Sequence, residues 1–152
     1  MKALFFSVTV LMGAFAVSAE AAEATPEATT FYAQLIRGTD REMPEQIGWK
    51  PAGPKLSNHL GPKFRWKNYW EVSRHVISVR PGKISRTRLN PDREIEIDLR
   101  GDKEYEVRLF VKGQLTCRAK QSMQSGMSIT GGARENNESW FVVVRRDKPA
   151  VD

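Results

Sequence analysis

Two groups of side chains have types and spacings that could do chemistry. Glu94, Glu96 and Asp98 recur at every second position, which on a strand sets carboxylates about 7 Å apart along one face. That separation would suit the acid and base of sugar hydrolysis. Cys117 and His75 are the second group, because a thiol and an imidazole become a nucleophile pair when a fold brings them together. Each has a plainer explanation. Arg86 and Arg88 repeat the two-residue spacing just upstream of the acidic row, so cross-strand ion pairing accounts for it. Cys117 lies between Leu115 and Ala119 in an alternating run. Burial is the expected fate of such a cysteine, and apolar surroundings raise a thiol's pKa. Neither His59 nor His75 has a Cys or His at ligand spacing, so no metal site is expected. No cofactor is expected either. A small hydrolase is only the third reading, and the chain is read as not an enzyme.

Binding chemistry has a denser candidate. Lys63 to Glu71 (KFRWKNYWE) holds three cations and four aromatics in nine residues. Strand alternation puts Phe64, Trp66 and Trp70 on one face and Arg65, Lys67 and Tyr69 on the other. With the tryptophans in a core, Arg65, Lys67 and Tyr69 would form a cationic, aromatic ledge able to stack a ring and steer an anion. An edge strand there would instead accept a partner's strand.

Three short motifs carry less. Gly131-Gly132-Ala133-Arg134 lacks the Gly-Lys-Ser/Thr of a phosphate loop and reads as a turn. Arg100-Gly101-Asp102 resembles an adhesion tripeptide, but Gly-Asp at a tight turn needs only backbone geometry. Asn137-Glu138-Ser139 matches a glycosylation sequon, which matters only in a eukaryote.

The elements that must position these groups begin after a leader. Lys2 is followed by an apolar run from Ala3 to Val17, and Val17-Ser18-Ala19 offers small residues before Glu20. This is the layout of a signal peptide over residues 1–19. Its apolar run of 15 residues is short of the roughly 20 that span a bilayer. Residues 20–30 are small, polar and acidic, a disordered spacer. Past it the chain keeps all but one of its 24 basic residues and loses three of its 18 acidic ones, an excess of eight positive charges. That excess favours anionic partners.

Residues 31–149 read as one domain. Phe31 to Ile36 is the first strand. Gly38 to Lys63 holds four prolines and is expected as an ordered loop with one helical turn over Lys55–Leu60 and anchors at Ile47, Trp49, Leu56 and Leu60. From Phe64 the period becomes two, with a bulge expected near Ser73. Arg80-Pro81-Gly82-Lys83 suits a type II turn, and Asn90-Pro91-Asp92 and Lys112-Gly113 mark further turns. Ile95, Ile97 and Leu99, then Tyr105, Val107, Leu109 and Val111, form inward rows. Trp140 to Val144 is apolar on both faces, as a central, doubly covered strand would be. Seven to eight short strands predict an all-β fold, a single antiparallel β-sandwich or partly open small barrel.

The function expected is a non-catalytic, exported binding or assembly module in the periplasm or outside the cell. Its partner would be an envelope or extracellular protein. The alternative is an anionic polysaccharide or other polyanion held through Arg65, Lys67 and Tyr69. No nucleic acid and no membrane-spanning segment after cleavage are expected.

Overall fold

The computed structural model describes residues 24–101 and 103–150. The leader, the first residues of the spacer and Asp102 of the Arg-Gly-Asp tripeptide lie outside them. Among the described residues no helix is long and apolar enough to cross a membrane.

Nine strands and one helix are described. In chain order they are β1 (Thr29–Thr39), β2 (Lys50–Pro51), α1 (Pro54–Phe64), β3 (Asn68–Val79), β4 (Ile84–Asn90), β5 (Arg93–Asp98), β6 (Glu104–Val111), β7 (Gln114–Ser122), β8 (Met127–Glu135) and β9 (Glu138–Arg145). They form two antiparallel sheets, one ordered β2-β3-β1-β9-β8 and the other β4-β5-β6-β7. The fold is an all-β sandwich. Thr29 and Thr30, the last residues of the expected spacer, already belong to β1.

The inward rows build the main core. Phe31, Ala33 and Leu35 of β1 meet Ile95, Ile97 and Leu99, with Tyr105, Val107 and Leu109 behind them and Val142 and Val144 alongside. A second core lies on the outer face of the larger sheet. There α1 lays Leu56 and Leu60 against Ile36, Tyr69, Phe141 and Val143. The larger sheet is therefore covered on both faces. That is why β9 reads WFVVV without alternation: its even residues enter one core and its odd residues the other.

The helix is longer than the single turn expected. Leu56, Leu60 and Phe64 repeat every four residues, the spacing of one helical face. Pro54 stands in the first turn, where its missing N–H costs nothing. Pro62 falls in the last turn, so the prolines bracket the helix instead of excluding it. Arg65 ends it in the left-handed region (φ 58°), its N–H donating to the Gly61 carbonyl at 2.9 Å.

The preceding loop is tied down by Arg37 at the end of the sandwich. The buried Arg37 guanidinium lies 5.3 Å from the Trp49 ring and 5.5 Å from the Trp140 ring. It pairs with Glu45 at 2.5 Å and with Glu138. Trp49 is thus an anchor as expected, but Ile47 is fully exposed. The register of β1 with β3 steps from Leu35–Ser73 to Ile36–Glu71, so Val72 is the extra residue of the expected bulge. Gly82 (φ 79°) and the Lys83 N–H to Arg80 carbonyl bond fit the expected turn. It carries the chain from one sheet to the other.

Candidate functional site

The segment from Lys63 to Glu71 does not form the expected ledge. Helix α1 runs through Phe64, and β3 begins only at Asn68. Strand alternation therefore cannot sort Arg65 and Lys67. Tyr69 is buried in the second core, its ring 6.1 Å from that of Phe141. Its hydroxyl accepts from the Trp66 N–H at 3.3 Å, and burial pushes its pKa up. The expectation that Tyr69 shares an exposed face with Arg65 and Lys67 is corrected here. Tyr69 points to the outer face of the larger sheet at the place where α1 packs with Leu56 and Leu60, so its side chain is enclosed there.

Arg65 and Lys67 are exposed, and the fold supplies them with two companions. Lys63 occupies the last turn of α1. Arg134 comes from β8, where the register with β9 jumps from Gly131–Phe141 to Arg134–Ser139. That bulge holds Arg134 with its guanidinium 4.1 Å from the Trp66 ring. Gly131 and Gly132 both have positive φ, which glycine adopts at little steric cost. A Cβ on Gly132 would also meet Phe64 at 2.8 Å. Among the described residues none of Lys63, Arg65, Lys67 and Arg134 is within ion-pair distance of a carboxylate. Asp40 is the nearby acid, accepting the Lys67 backbone N–H at 3.1 Å. Arg134 had no signal in the sequence beyond the preceding Gly-Gly, which had read as a plain turn.

No protein-family model, curated protein or solved structure matches this chain. Its chemistry therefore rests on its own residues.

The acidic row is occupied. Arg86 reaches Glu94 at 2.7 Å and Glu96 at 3.3 Å, and Arg88 reaches Glu94 at 2.8 Å, the pairing that the spacing predicted. Asp98 turns instead to Arg100 at 2.5 Å and Arg108 at 2.9 Å. Hydrogen bonds from Arg88 and Arg86 hold the Glu94 carboxyl below its usual range. Those from Arg100, with Arg108, lower Asp98 to about 2. A general acid works best with a pKa near the ambient pH, and these groups are held far from it.

His75 and Cys117 do not meet. His75 is on β3 and Cys117 on β7, at opposite sides of the sandwich. Cys117 is a half-buried free thiol rather than a buried one, and its neighbour Leu115 is exposed. The reason is position: β7 is an edge strand, and its pairing slips between Leu109–Cys117 and Phe110–Leu115.

Proposed function

We propose that this is an exported binding domain whose patch of Lys63, Arg65, Lys67 and Arg134 takes an anionic polymer, an acidic polysaccharide foremost. The observation that carries the reading is four exposed cations without ion pairs among the described residues: Lys63, Arg65 and Lys67 within three positions of Trp66 in the chain, and Arg134 over its ring. The end of α1 accounts for a cation such as Lys63, since a helix C-terminus favours positive charge by about 0.3–1 kcal/mol. It does not account for Lys67 or Arg134. Four unneutralised charges repel each other, and a polyanion relieves that repulsion while releasing its own counterions. The patch gives the polyanion reading different residues from those the sequence suggested: Arg65 and Lys67 stay, Tyr69 leaves, and Lys63 and Arg134 join.

The test is affinity for heparin as a function of salt. Arg65→Gly suits it, because glycine fits the left-handed geometry and the charge is lost without strain. Removing Arg65, Lys67 or Arg134 should each flatten the log–log salt slope by roughly one. Lys83→Ser, in the exposed turn beyond the far end of β3 from the patch, should leave retention nearly unchanged. Equal losses from patch and control variants would reduce the effect to net charge and end the reading.

A protein partner is the second reading, favoured by the outer edge of β3. The short β2 pairs only Trp70 and Glu71. Among the described residues Ser73 to Val79 have a neighbour on one side alone, and Val76 there is 67 % exposed. An extended strand of a partner protein would add along that edge by backbone hydrogen bonds. Such binding would tolerate salt and be lost in Val76→Pro, an outcome opposite to that of the patch.

A further inference from the structure

Beside the β8 bulge, residues of both sheets, from β5, β6, β7, β8 and β9, face one another across a gap. A cleft of about 380 Å³ opens there, within the range of small-ligand sites, roughly 300–1,000 Å³. Leu109, Val111, Cys117 and Trp140 line its wall, and the Gly131–Ala133 backbone closes one side. Two register slips and one side-chain cluster border the site. The β8–β9 slip falls at Gly131 and Gly132, which put no side chain into it. The β6–β7 slip falls at Cys117, which lines it. The Arg37 cluster holds Trp140, whose indole N–H donates to Glu138 at 3.0 Å.

One charge enters this apolar setting without a counterion. The Arg93 guanidinium lies 4.4 Å from the Trp140 ring and lines the cleft. Among the described residues no carboxylate is within ion-pair distance of it. Burial lowers its pKa, while Asp92 and Glu135 oppose that shift from a distance. Glu135 also lines the cleft but is exposed, and water screens an exposed charge more than a half-buried one. The cation therefore dominates inside the cleft.

We infer that this cleft binds a medium-chain fatty carboxylate, its chain against Trp140, Val111, Leu109 and Cys117 and its head on Arg93. A half-buried arginine gains most from a planar, bidentate anion, and the apolar wall adds affinity in proportion to the chain it covers. Charge complementarity selects the carboxylate over an alcohol or an amine of equal length. The inference stands apart from the basic patch, to which β8 contributes only Arg134, over Trp66.

Cys117 gives a site-specific readout, being the sole cysteine of the chain. Decanoate, below its micelle-forming concentration, should slow alkylation of Cys117 by a neutral maleimide in a saturable manner. Decanol and decyltrimethylammonium should protect at least about tenfold less well, the loss expected of one charge-assisted pair. Arg93→Gln should erase the preference for decanoate over decanol, Arg93→Lys should keep part of it, and Glu135→Gln should tighten decanoate binding. Patch variants such as Lys67→Ser should leave protection unchanged. Unaltered labelling with decanoate, equal protection by decanol, or better protection by the ammonium compound would each overturn the inference. Should Arg93→Gln fold poorly, the three-ligand comparison on the wild-type protein decides alone.

Discussion

Asp98 shows how one side chain can be withdrawn from chemistry by its neighbours. It sits at the end of an acidic row that spacing alone could offer as catalytic, yet two guanidiniums claim it. Its folded pKa, about 2, lies below the ordinary 3.8. A depressed carboxylate stabilises the folded state above its unfolded pKa and loses that contribution as pH falls through the folded one. Urea midpoints should therefore decline between pH 3.8 and about 2, and the decline should be shallower in Asp98→Asn. At neutral pH that variant should be less stable by about 1–3 kcal/mol, because Arg108 loses a charged partner in a largely buried setting. A variant with the same acid profile as the parent would show that the pair is not responsible. Arg65 is the complementary case, held in a left-handed geometry that costs a non-glycine residue stability. Arg65→Gly should raise the melting temperature while weakening heparin retention, a separation of stability from binding that a purely structural role would not produce.

Helix α1 and the β8 bulge matter more than any single side chain they carry. The helix seals the outer face of the larger sheet, with Leu56 and Leu60 almost wholly buried. Leu60→Ala should cost about 2–5 kcal/mol, the range for emptying a packed leucine site, measurable by urea denaturation. A loss below 1 kcal/mol would mean that the second core is loosely held. The bulge serves two surfaces at once, setting Arg134 over Trp66 and bordering the cleft. Its pivot is Gly131, at φ 89°, where a Cβ would stand 2.5 Å from the Trp140 carbonyl oxygen. Gly131→Ala should destabilise by about 1–3 kcal/mol and disturb heparin retention and Cys117 protection together. If only one of the two changes, the surfaces are positioned independently.

The molecule holds two cores on one sheet, and this links their stabilities. Leu35 and Ile36 are sequence neighbours, yet one enters the sandwich and the other packs under the helix. Strands β1 and β9 serve both cores, which favours their opening together. Unfolding should accordingly be a single transition, with tryptophan fluorescence and far-ultraviolet circular dichroism coincident in urea. Separate midpoints would show that α1 and its core detach first. Pairing β1 with β9 brings together the first and last strands, and such long-range closure is slow. Refolding on the millisecond-to-second scale is expected from stopped-flow measurements.

The order of residues alone determined most of the strands and the inward rows of Ile95 to Leu99 and Tyr105 to Leu109, because alternation is a property of each strand by itself. It determined the Arg86 and Arg88 pairing for the same reason: equal spacing on adjacent strands leaves little freedom. The doubly covered β9 was legible from its unbroken apolar run, and the bulge near Ser73 from its broken phase. The helix was legible in principle from Leu56, Leu60 and Phe64, but four prolines in the segment obscured it. What only the tertiary structure decided was which side of each strand meets solvent and which distant residues become neighbours. Tyr69 went inward because α1 covers a face that alternation could not reveal as covered. Arg134 reached Trp66, and Arg93 reached Trp140, through register slips and sheet packing. Those depend on contacts between segments far apart in the chain, and local pattern holds no record of them.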